Sequence, residues 1–228
     1  MFTTDFPPYS YTENGRLTGL CTEIVQSVFA KAGITGVEYE VHPWARAYTM
    51  ALDHKGSAVY SIARSPDRET LFHWIGPIAP YDVNLYKLKR RKDIRVQTLE
   101  DAKRYKVGGE IKDIKQEYLQ AQGFILNQNL ELADRDEINL RKLFAERIDL
   151  IPFDAFSLPM MLRKEGFRPE ALEKVLPLPG VSHGLYLAVS LDVPQVEVER
   201  LQAALESLRM NGELARIHQR YLGEDSPL

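Results

Sequence analysis

Two arginines bracket the start of a predicted helix, directly after an apolar strand. Arg64 and Arg68 flank residues 65–67, which read Ser-Pro-Asp. Serine is a good helix cap, proline suits the first helical position, and an acid favours the positive end of the helix dipole. Backbone N–H groups and a guanidinium that face the same space would bind an anion such as a carboxylate. The alternative is a capped surface helix whose arginines pair with neighbouring acids such as Glu69.

A carboxylate stands at a comparable position in the second half of the chain. Asp154 follows the apolar run 148–153 and precedes a predicted helix. It would therefore lie at the carboxyl end of a buried strand, where open α/β sheets bind ligands. It would equally serve as the cap of the following helix, and the two roles are compatible.

Aromatic side chains occur at positions that favour a pocket wall. Phe6 and Tyr9 flank Pro7 and Pro8, which stiffen their loop. Trp44 occupies a predicted strand-to-helix junction, and such junctions border ligand sites in α/β proteins. We expect these rings to contact a ligand; packing in the core is the alternative for each of them.

The elements that must position these residues alternate between strands and helices, which predicts an α/β fold with largely parallel sheets. Apolar residues at helical spacing predict the main helices, and short apolar or alternating runs predict the main strands. The predicted helices cover about 20–32, 155–161, 194–208 and 214–222, with one more opening at 43–44, and the main strands 37–41, 58–62, 148–153 and 185–189. Asp113 and Asp136 are each predicted to cap a helix of the second half.

Composition excludes several classes of partner. The 228 residues carry a formal net charge of -3, which gives no general attraction to nucleic acid, and the basic run 87–92 is short. No apolar stretch reaches the roughly 20 residues of a membrane span. The chain opens without a leader of the signal-peptide type, so we expect any export signal to have been removed from it.

Catalytic and metal-binding signatures are missing from the sequence. There is no Gly-rich phosphate loop, no Gly-x-Ser-x-Gly elbow and no His-Glu-x-x-His helix. Cys21 is the only cysteine, and the five histidines lack metal-ligand spacing. We therefore expect no catalytic residue, no metal and no cofactor.

Four motifs, taken in order and spacing, carry a resemblance to a known family. The chain resembles the bacterial extracellular solute-binding proteins of family 3, the amino-acid-type periplasmic receptors of ABC transporters. The motifs are Thr-Asp-Phe-Pro-Pro-Tyr at 4–9 with Gly-Arg-Leu-Thr-Gly at 15–19 and Glu23, Ser-Pro-Asp-Arg-Glu at 65–69 before Phe72, Arg-Ile-Asp at 147–149 running to Asp154, and Asn-Gly-Glu-Leu at 211–214 running to Tyr221.

The resemblance implies a two-lobed, type II periplasmic-binding-protein-like fold. It implies a ligand cleft between two α/β lobes joined by two connectors, with lobes that close over the ligand by hinge motion. Lobe I would comprise 1–84 and 192–228, and lobe II 92–184. The connectors would be 85–91 and 185–191.

The resemblance also implies roles for individual residues. Arg68 matches the family arginine that clamps the ligand α-carboxylate, and Asp154 matches the acid that takes the α-ammonium. Phe6 matches an aromatic that packs on the ligand, and Ala63 a position whose backbone contributes. Three further residues complete the predicted ligand-binding set, namely Tyr9, Trp44 and Arg64.

One departure from the family pattern concerns the ligand. Many members have Gly-Ser or Gly-Thr where this chain has Lys112-Asp113. A negative Asp113 would repel a carboxylate unless it serves only as a helix cap. The departure argues against a standard α-amino acid as the ligand.

The function expected from these observations is binding rather than catalysis. A small amino-acid-like or carboxylate-bearing ligand would be captured in the periplasm by a monomer and delivered to the membrane permease of an ABC transporter. The alternatives are a cyclohexadienyl dehydratase-like lyase on the same scaffold and a ligand-sensing domain of a signalling protein. A lyase would need a positioned acid or base, which the sequence does not identify.

Overall fold

The computed structural model describes residues 1–223 of the chain, which divides into two compact units. The first unit is built from Met1–Pro80 together with His183–Leu228, and the second from Tyr81–Ser182. Of the predicted connectors, 85–91 supplies most of a strand of the second unit and 185–191 supplies a strand of the first. Cross-strand pairing ties each of these segments to one sheet, and the predicted lobe bounds stay a prediction. The hinge role of both segments stays a prediction.

The first 80 residues alternate short strands with two helices. These elements are β1 (Phe2–Thr3), β2 (Tyr11–Glu13), β3 (Arg16–Thr18), α1 (Leu20–Lys31), β4 (Glu40–Val41), α2 (Trp44–Asp53), β5 (Ala58–Ala63), a 3₁₀ helix (Pro66–Leu71) and β6 (His73–Ala79). Helix α1 begins and ends within a residue of its predicted bounds, since Ile24, Val25 and Val28 form a continuous buried face.

The second unit contains five strands and four α-helices among its described residues. These are β7 (Val83–Leu88), α3 (Leu99–Ala102), β8 (Val107–Glu110), α4 (Ile114–Ala121), β9 (Leu130–Ala133), α5 (Asp136–Phe144), β10 (Ile151–Asp154), α6 (Leu158–Lys164) and β11 (Leu172–Pro177), with 3₁₀ turns at Pro169–Ala171 and Pro179–Val181. The chain then returns to the first unit through β12 (Leu185–Val189), α7 (Gln195–Met210) and α8 (Glu213–Leu222).

Sheet topology is mixed in both units. The first unit has a five-stranded sheet in the order β4-β1-β5-β12-β6, in which β1 runs parallel to β4 and β5 while β12 is antiparallel to β5 and β6. In the second unit β8 and β9 are parallel, whereas β10-β7-β11 form an antiparallel sheet. The prediction of largely parallel sheets is wrong for the antiparallel sheet β10-β7-β11. A fully buried apolar strand looks the same in sequence whichever way its neighbours run.

The segment Pro66–Leu71, which includes Arg68, is a short 3₁₀ helix and not an α-helix. Its first turn is closed by the Arg68 backbone N–H, which donates to the Ser65 carbonyl at 3.1 Å. The Ser65 hydroxyl makes no capping bond and is buried without a hydrogen-bond partner among the described residues. The prediction that Ser65 caps an α-helix is therefore wrong, because the backbone itself closes the tighter turn.

Gly19 directly precedes helix α1, and we expect its replacement by a residue with a side chain to destabilise the fold. Its φ is +114°, and a Cβ there would lie 2.6 Å from the Tyr9 carbonyl oxygen. That carbonyl accepts the N–H groups of Cys21 and Thr22, which fixes it against the helix. We expect Gly19→Ala to lower the free energy of unfolding by about 2–3 kcal/mol, measured by urea denaturation.

Gly15→Ala is the matched control for Gly19. Its φ is +75°, but a Cβ there would meet no atom within 4 Å. Gly15→Ala should therefore lower the free energy of unfolding by only about 1 kcal/mol, the cost of placing a side chain on a residue with positive φ. Equal losses for the two variants would contradict the steric argument at Gly19.

Candidate functional site

The guanidinium of Arg68 is buried in the first unit against aromatic rings. Arg68 is 1% exposed, and its guanidinium carbon lies 4.9 Å from the Tyr48 ring centre and 5.6 Å from that of Trp44. Its Nη1 donates to the Ala63 carbonyl at 3.2 Å. The structure thus brings together three of the predicted residues, Arg68, Ala63 and Trp44. Stacking of this kind fixes the planar fork that suits bidentate binding of a carboxylate.

Arg64 lies at the surface, whereas Arg68 is buried. Its Nε donates to Glu69 Oε2 at 2.6 Å, and its guanidinium lies over the rings of Trp74 and Tyr186 at 5.6 and 5.7 Å. The side chain is more than a third exposed. Arg64 therefore belongs to a surface ion pair, as the alternative interpretation of this segment held for it.

The two aromatic residues of the proline loop differ in burial: Tyr9 is buried and Phe6 is partly exposed. The rings of Phe6 and Tyr9 pack at 4.9 Å between centres. Tyr9 is fully buried and its hydroxyl donates to the Pro80 carbonyl at 2.9 Å, so this ring has the packing role of the alternative interpretation. Phe6 is partly exposed at the turn, and its contact with a ligand stays a prediction.

A chain of hydroxyl groups ties the proline loop to the strand that carries Ala63. The Thr3 hydroxyl donates to Ser10 Oγ at 2.9 Å, and Ser10 Oγ lies 3.0 Å from Ser61 Oγ. Ser61 has a φ of +60° in the middle of β5, which is unusual for a residue with a side chain. This backbone turn sits two residues before Ala63, whose carbonyl receives Arg68. The sequence analysis missed Ser10 and Ser61, because a buried, mostly apolar strand gives no sign of a left-handed residue.

Asp154 ends β10 in the second unit and holds three backbone N–H groups. Its Oδ1 accepts from Asp82 N at 2.9 Å, and its Oδ2 accepts from Phe156 N at 3.1 Å and Ser157 N at 2.8 Å. The residue is 1% exposed. The carboxylate thus organises the turn that follows the strand, as a cap does, and it stands at the carboxyl end of β10 as predicted.

A second group of charges in this unit escaped sequence reasoning. The ammonium of Lys115 lies 2.7 Å from Asp136 Oδ2 and 3.4 Å from Asp113 Oδ1, and Lys115 is 2% exposed. Burial alone would lower the pKa of Lys115, but Asp113 and Asp136 outweigh it and hold that pKa well above its usual value. Asp113 does cap α4 as predicted, accepting from Lys115 N at 2.8 Å. Asp136 was also predicted to cap a helix and this is wrong, because its carboxylate is directed to Lys115 while Arg135 occupies the cap position of α5.

Glu110 gives the second unit a pH dependence whose sign can be predicted. Burial, reinforced by the neighbouring Asp136, raises the pKa of Glu110 well above its ordinary value of 4.5. A carboxyl group whose pKa is raised by folding stabilises the protein below its unfolded pKa, and this contribution is lost as pH rises through the folded pKa. Between about pH 5 and about pH 8, Glu110→Gln should therefore become progressively more stable relative to the native chain. Unfolding free energies of both proteins across this range provide the measurement, and a constant difference would contradict the prediction.

Residues 1–223 contain neither a metal-binding cluster nor a membrane-spanning helix. Within that range no set of three His, Cys, Asp or Glu side chains is arranged to hold a metal ion. No helix in the same range combines the length and the apolar character needed to cross a membrane.

A family comparison covers nearly the whole chain. The model of the bacterial extracellular solute-binding proteins, family 3, matches residues 1–224. Curated protein sequences yield no match.

Solved structures with similar folds cover nearly the full length of the chain. A histidine kinase sensor domain with similarity to periplasmic binding proteins superposes with a TM-score of 0.84 at 21% identity, over 100% of this chain and 97% of that one. An ancestral arginine-binding protein bound to arginine gives a TM-score of 0.81 at 19% identity, over 97% of each chain. The substrate-binding protein of an amino acid ABC transporter gives 0.80 at 15% identity, over 98% of each chain. The predicted α/β, type II periplasmic-binding-protein-like fold is confirmed.

Proposed function

The chain belongs to the bacterial extracellular solute-binding proteins of family 3, and from this premise we propose that it captures a small amino-acid-like ligand by the ligand's carboxylate. Arg68 is the proposed clamp, and Phe6, Trp44 and the Ala63 backbone are the proposed neighbours of the bound group. Tyr9 supports Phe6 from the core. Asp154 in the second unit is the proposed acceptor for the ligand's ammonium group.

The arrangement around Arg68 is the observation that carries this proposal. Arg68 is buried, whereas its neighbours in the 3₁₀ helix, Asp67 and Glu69, are exposed. The rings of Trp44 and Tyr48 and the Ala63 carbonyl orient the guanidinium. A carboxylate is the group whose geometry matches a guanidinium fork held in this way.

Delivery to a membrane transporter is the proposed fate of the ligand. Support comes from the similarity to the substrate-binding protein of an amino acid ABC transporter over 98% of each chain. We place this activity in the periplasm or outside the cell, in accordance with the family's description. We propose a monomer that acts by binding and not by turnover.

Ligand sensing is a second candidate, favoured by one specific observation. The histidine kinase sensor domain superposes over the entire chain. The same Arg68 chemistry would then report ligand concentration to a signalling partner. The two functions share the binding step and differ in the partner that recognises the loaded protein.

A thermal-shift panel of amino acids, small carboxylates and polyamines tests the shared binding step. A ligand at about 100 times its dissociation constant should stabilise the chain by about 2.7 kcal/mol. We expect at least one carboxylate-bearing compound to raise the melting temperature. A panel in which none of them does would contradict the proposal, and turnover of prephenate or arogenate would favour the lyase alternative.

A further inference from the structure

The sequence contains two Asn-Gly dipeptides, and the structure holds them in different ways. They are Asn14-Gly15 at the turn of the hairpin β2-β3 and Asn211-Gly212 between α7 and α8. In such a dipeptide the glycine nitrogen can attack the asparagine side-chain carbon, because glycine has no Cβ to obstruct the approach. Asparagine is accordingly among the thermolabile residues of proteins. The two sites share this local chemistry and differ in their hydrogen bonds.

At the hairpin, neither of the two reacting groups is held by a hydrogen bond. Glu13 pairs with Arg16, so Asn14 and Gly15 alone form the turn, with φ of +51° and +75°. The Asn14 side chain and the Gly15 N–H make no hydrogen bond within the described range 1–223. Both residues are exposed, and a Cβ on Gly15 would meet no atom within 4 Å. The turn can therefore change its backbone angles locally without breaking the β2-β3 ladder.

At the junction of α7 and α8, both of the corresponding groups are held. Asn211 Oδ1 accepts the Glu213 N–H at 2.9 Å, and the Gly212 N–H donates to the Arg209 carbonyl at 3.2 Å. Asn211 is itself exposed, as Asn14 is. Access of solvent is thus similar at the two sites, whereas attack on Asn211 must first break two hydrogen bonds.

We infer that Asn14-Gly15 is a site of spontaneous deamidation in the native chain, and that the hydrogen bonds of Asn211-Gly212 protect the second site. The Gly15 nitrogen gives its proton to a solvent base and forms a bond to Asn14 Cγ. The bond from Cγ to Nδ2 breaks, and Nδ2 takes up a proton and leaves as ammonia. Water then opens the resulting succinimide at one of its two carbonyl groups, which leaves aspartate or isoaspartate at position 14. This inference is independent of the proposed function.

The modification would change both the charge and the chain path of the hairpin. A new carboxylate would stand at a cavity of about 360 Å³ in the first unit, which Asn14, Arg16 and Tyr221 help to line. Isoaspartate also adds one methylene to the main chain of a two-residue turn, and the length of the turn sets the register of a hairpin. The isoaspartyl chain should therefore lose the present pairing of β2 with β3.

Peptide mapping of the full chain, aged in a mildly alkaline buffer, tests the inference. Trypsin separates the two sites into peptides 1–16 and 210–216. Deamidation changes the mass of each peptide by the loss of ammonia and the gain of water, and electron-transfer fragmentation distinguishes isoaspartate from aspartate. We expect Asn14 to react at least about tenfold faster than Asn211, the effect of the hydrogen bonds that hold Asn211.

An unfolded sample and one variant show whether the fold sets this difference. In guanidinium chloride neither site keeps its hydrogen bonds, so we expect the two rates to become similar. Gly15→Ala places a Cβ beside the attacking nitrogen and should slow the reaction at Asn14 several-fold, with no effect on the reaction at Asn211.

The contradicting results are specific. A native chain in which Asn211 reacts as fast as Asn14 would overturn the inference. A ratio of rates that is the same in the native and the unfolded chain would also overturn it, because the local sequence and not the fold would then set the ratio. An unchanged rate at Asn14 in Gly15→Ala would exclude attack by the Gly15 nitrogen.

Discussion

Replacing Arg68 by lysine should weaken ligand binding by roughly 30-fold or more, the largest change in affinity that we expect from one substitution. Lysine retains the charge but lacks the planar fork, so it cannot reproduce a bidentate contact with a carboxylate. It also loses the stacking on Trp44 and Tyr48 that orients the guanidinium. Calorimetric titration with the best ligand from the thermal-shift panel provides the measurement.

Arg64→Lys is the matched control for Arg68→Lys. Arg64 pairs with Glu69 at the surface, where an ion pair contributes little. We expect its replacement to change affinity by less than about threefold. An Arg64 effect larger than the Arg68 effect would show that the clamp has been placed on the wrong arginine.

Replacing Asp154 by alanine should cost about 3–5 kcal/mol of unfolding free energy, the largest loss of stability that we expect. The substitution leaves three backbone N–H groups, those of Asp82, Phe156 and Ser157, without their acceptor. Asp154→Asn should fall between the native chain and Asp154→Ala, because one carbonyl oxygen remains and the new amide faces N–H donors. Urea denaturation of the three proteins gives the comparison.

Asp149→Asn provides the control for Asp154. Asp149 accepts one backbone N–H, that of Lys106 at 3.0 Å, pairs with the Arg91 guanidinium at 3.2 Å and is partly exposed. Its replacement should cost about 1 kcal/mol. If Asp154→Ala is no less stable than Asp149→Asn, then the three hydrogen bonds do not stabilise the turn as we argue.

Local signals in the sequence account for the elements that were predicted well. Helix α1 follows from apolar residues at helical spacing before Gly33, and β12 coincides with the predicted strand 185–189. The alternating run 37–41 was less informative, because only Glu40–Val41 pairs with the two-residue strand β1. An alternating pattern predicts a strand only where a neighbouring strand is long enough to pair with it.

The candidate site was less predictable because it depends on contacts between distant residues. Arg68 and Asp154 were identified from their positions beside predicted strands. The pair of Lys115 and Asp136 joins residues 21 apart, and only the fold brings them together. The same contact explains why Asp136 does not cap its helix, since a buried ammonium is a stronger partner for a carboxylate than backbone N–H groups at an exposed helix end.

The most direct test of the central claim compares an acid with its amide. The amino acid that binds most tightly in the thermal-shift panel and its primary amide would each be titrated into the native chain and into Arg68→Gln. If Arg68 holds the ligand carboxylate, the native chain should prefer the acid by roughly 30-fold or more, and Arg68→Gln should lose nearly all of this preference. An equal preference in both proteins would contradict carboxylate capture by Arg68.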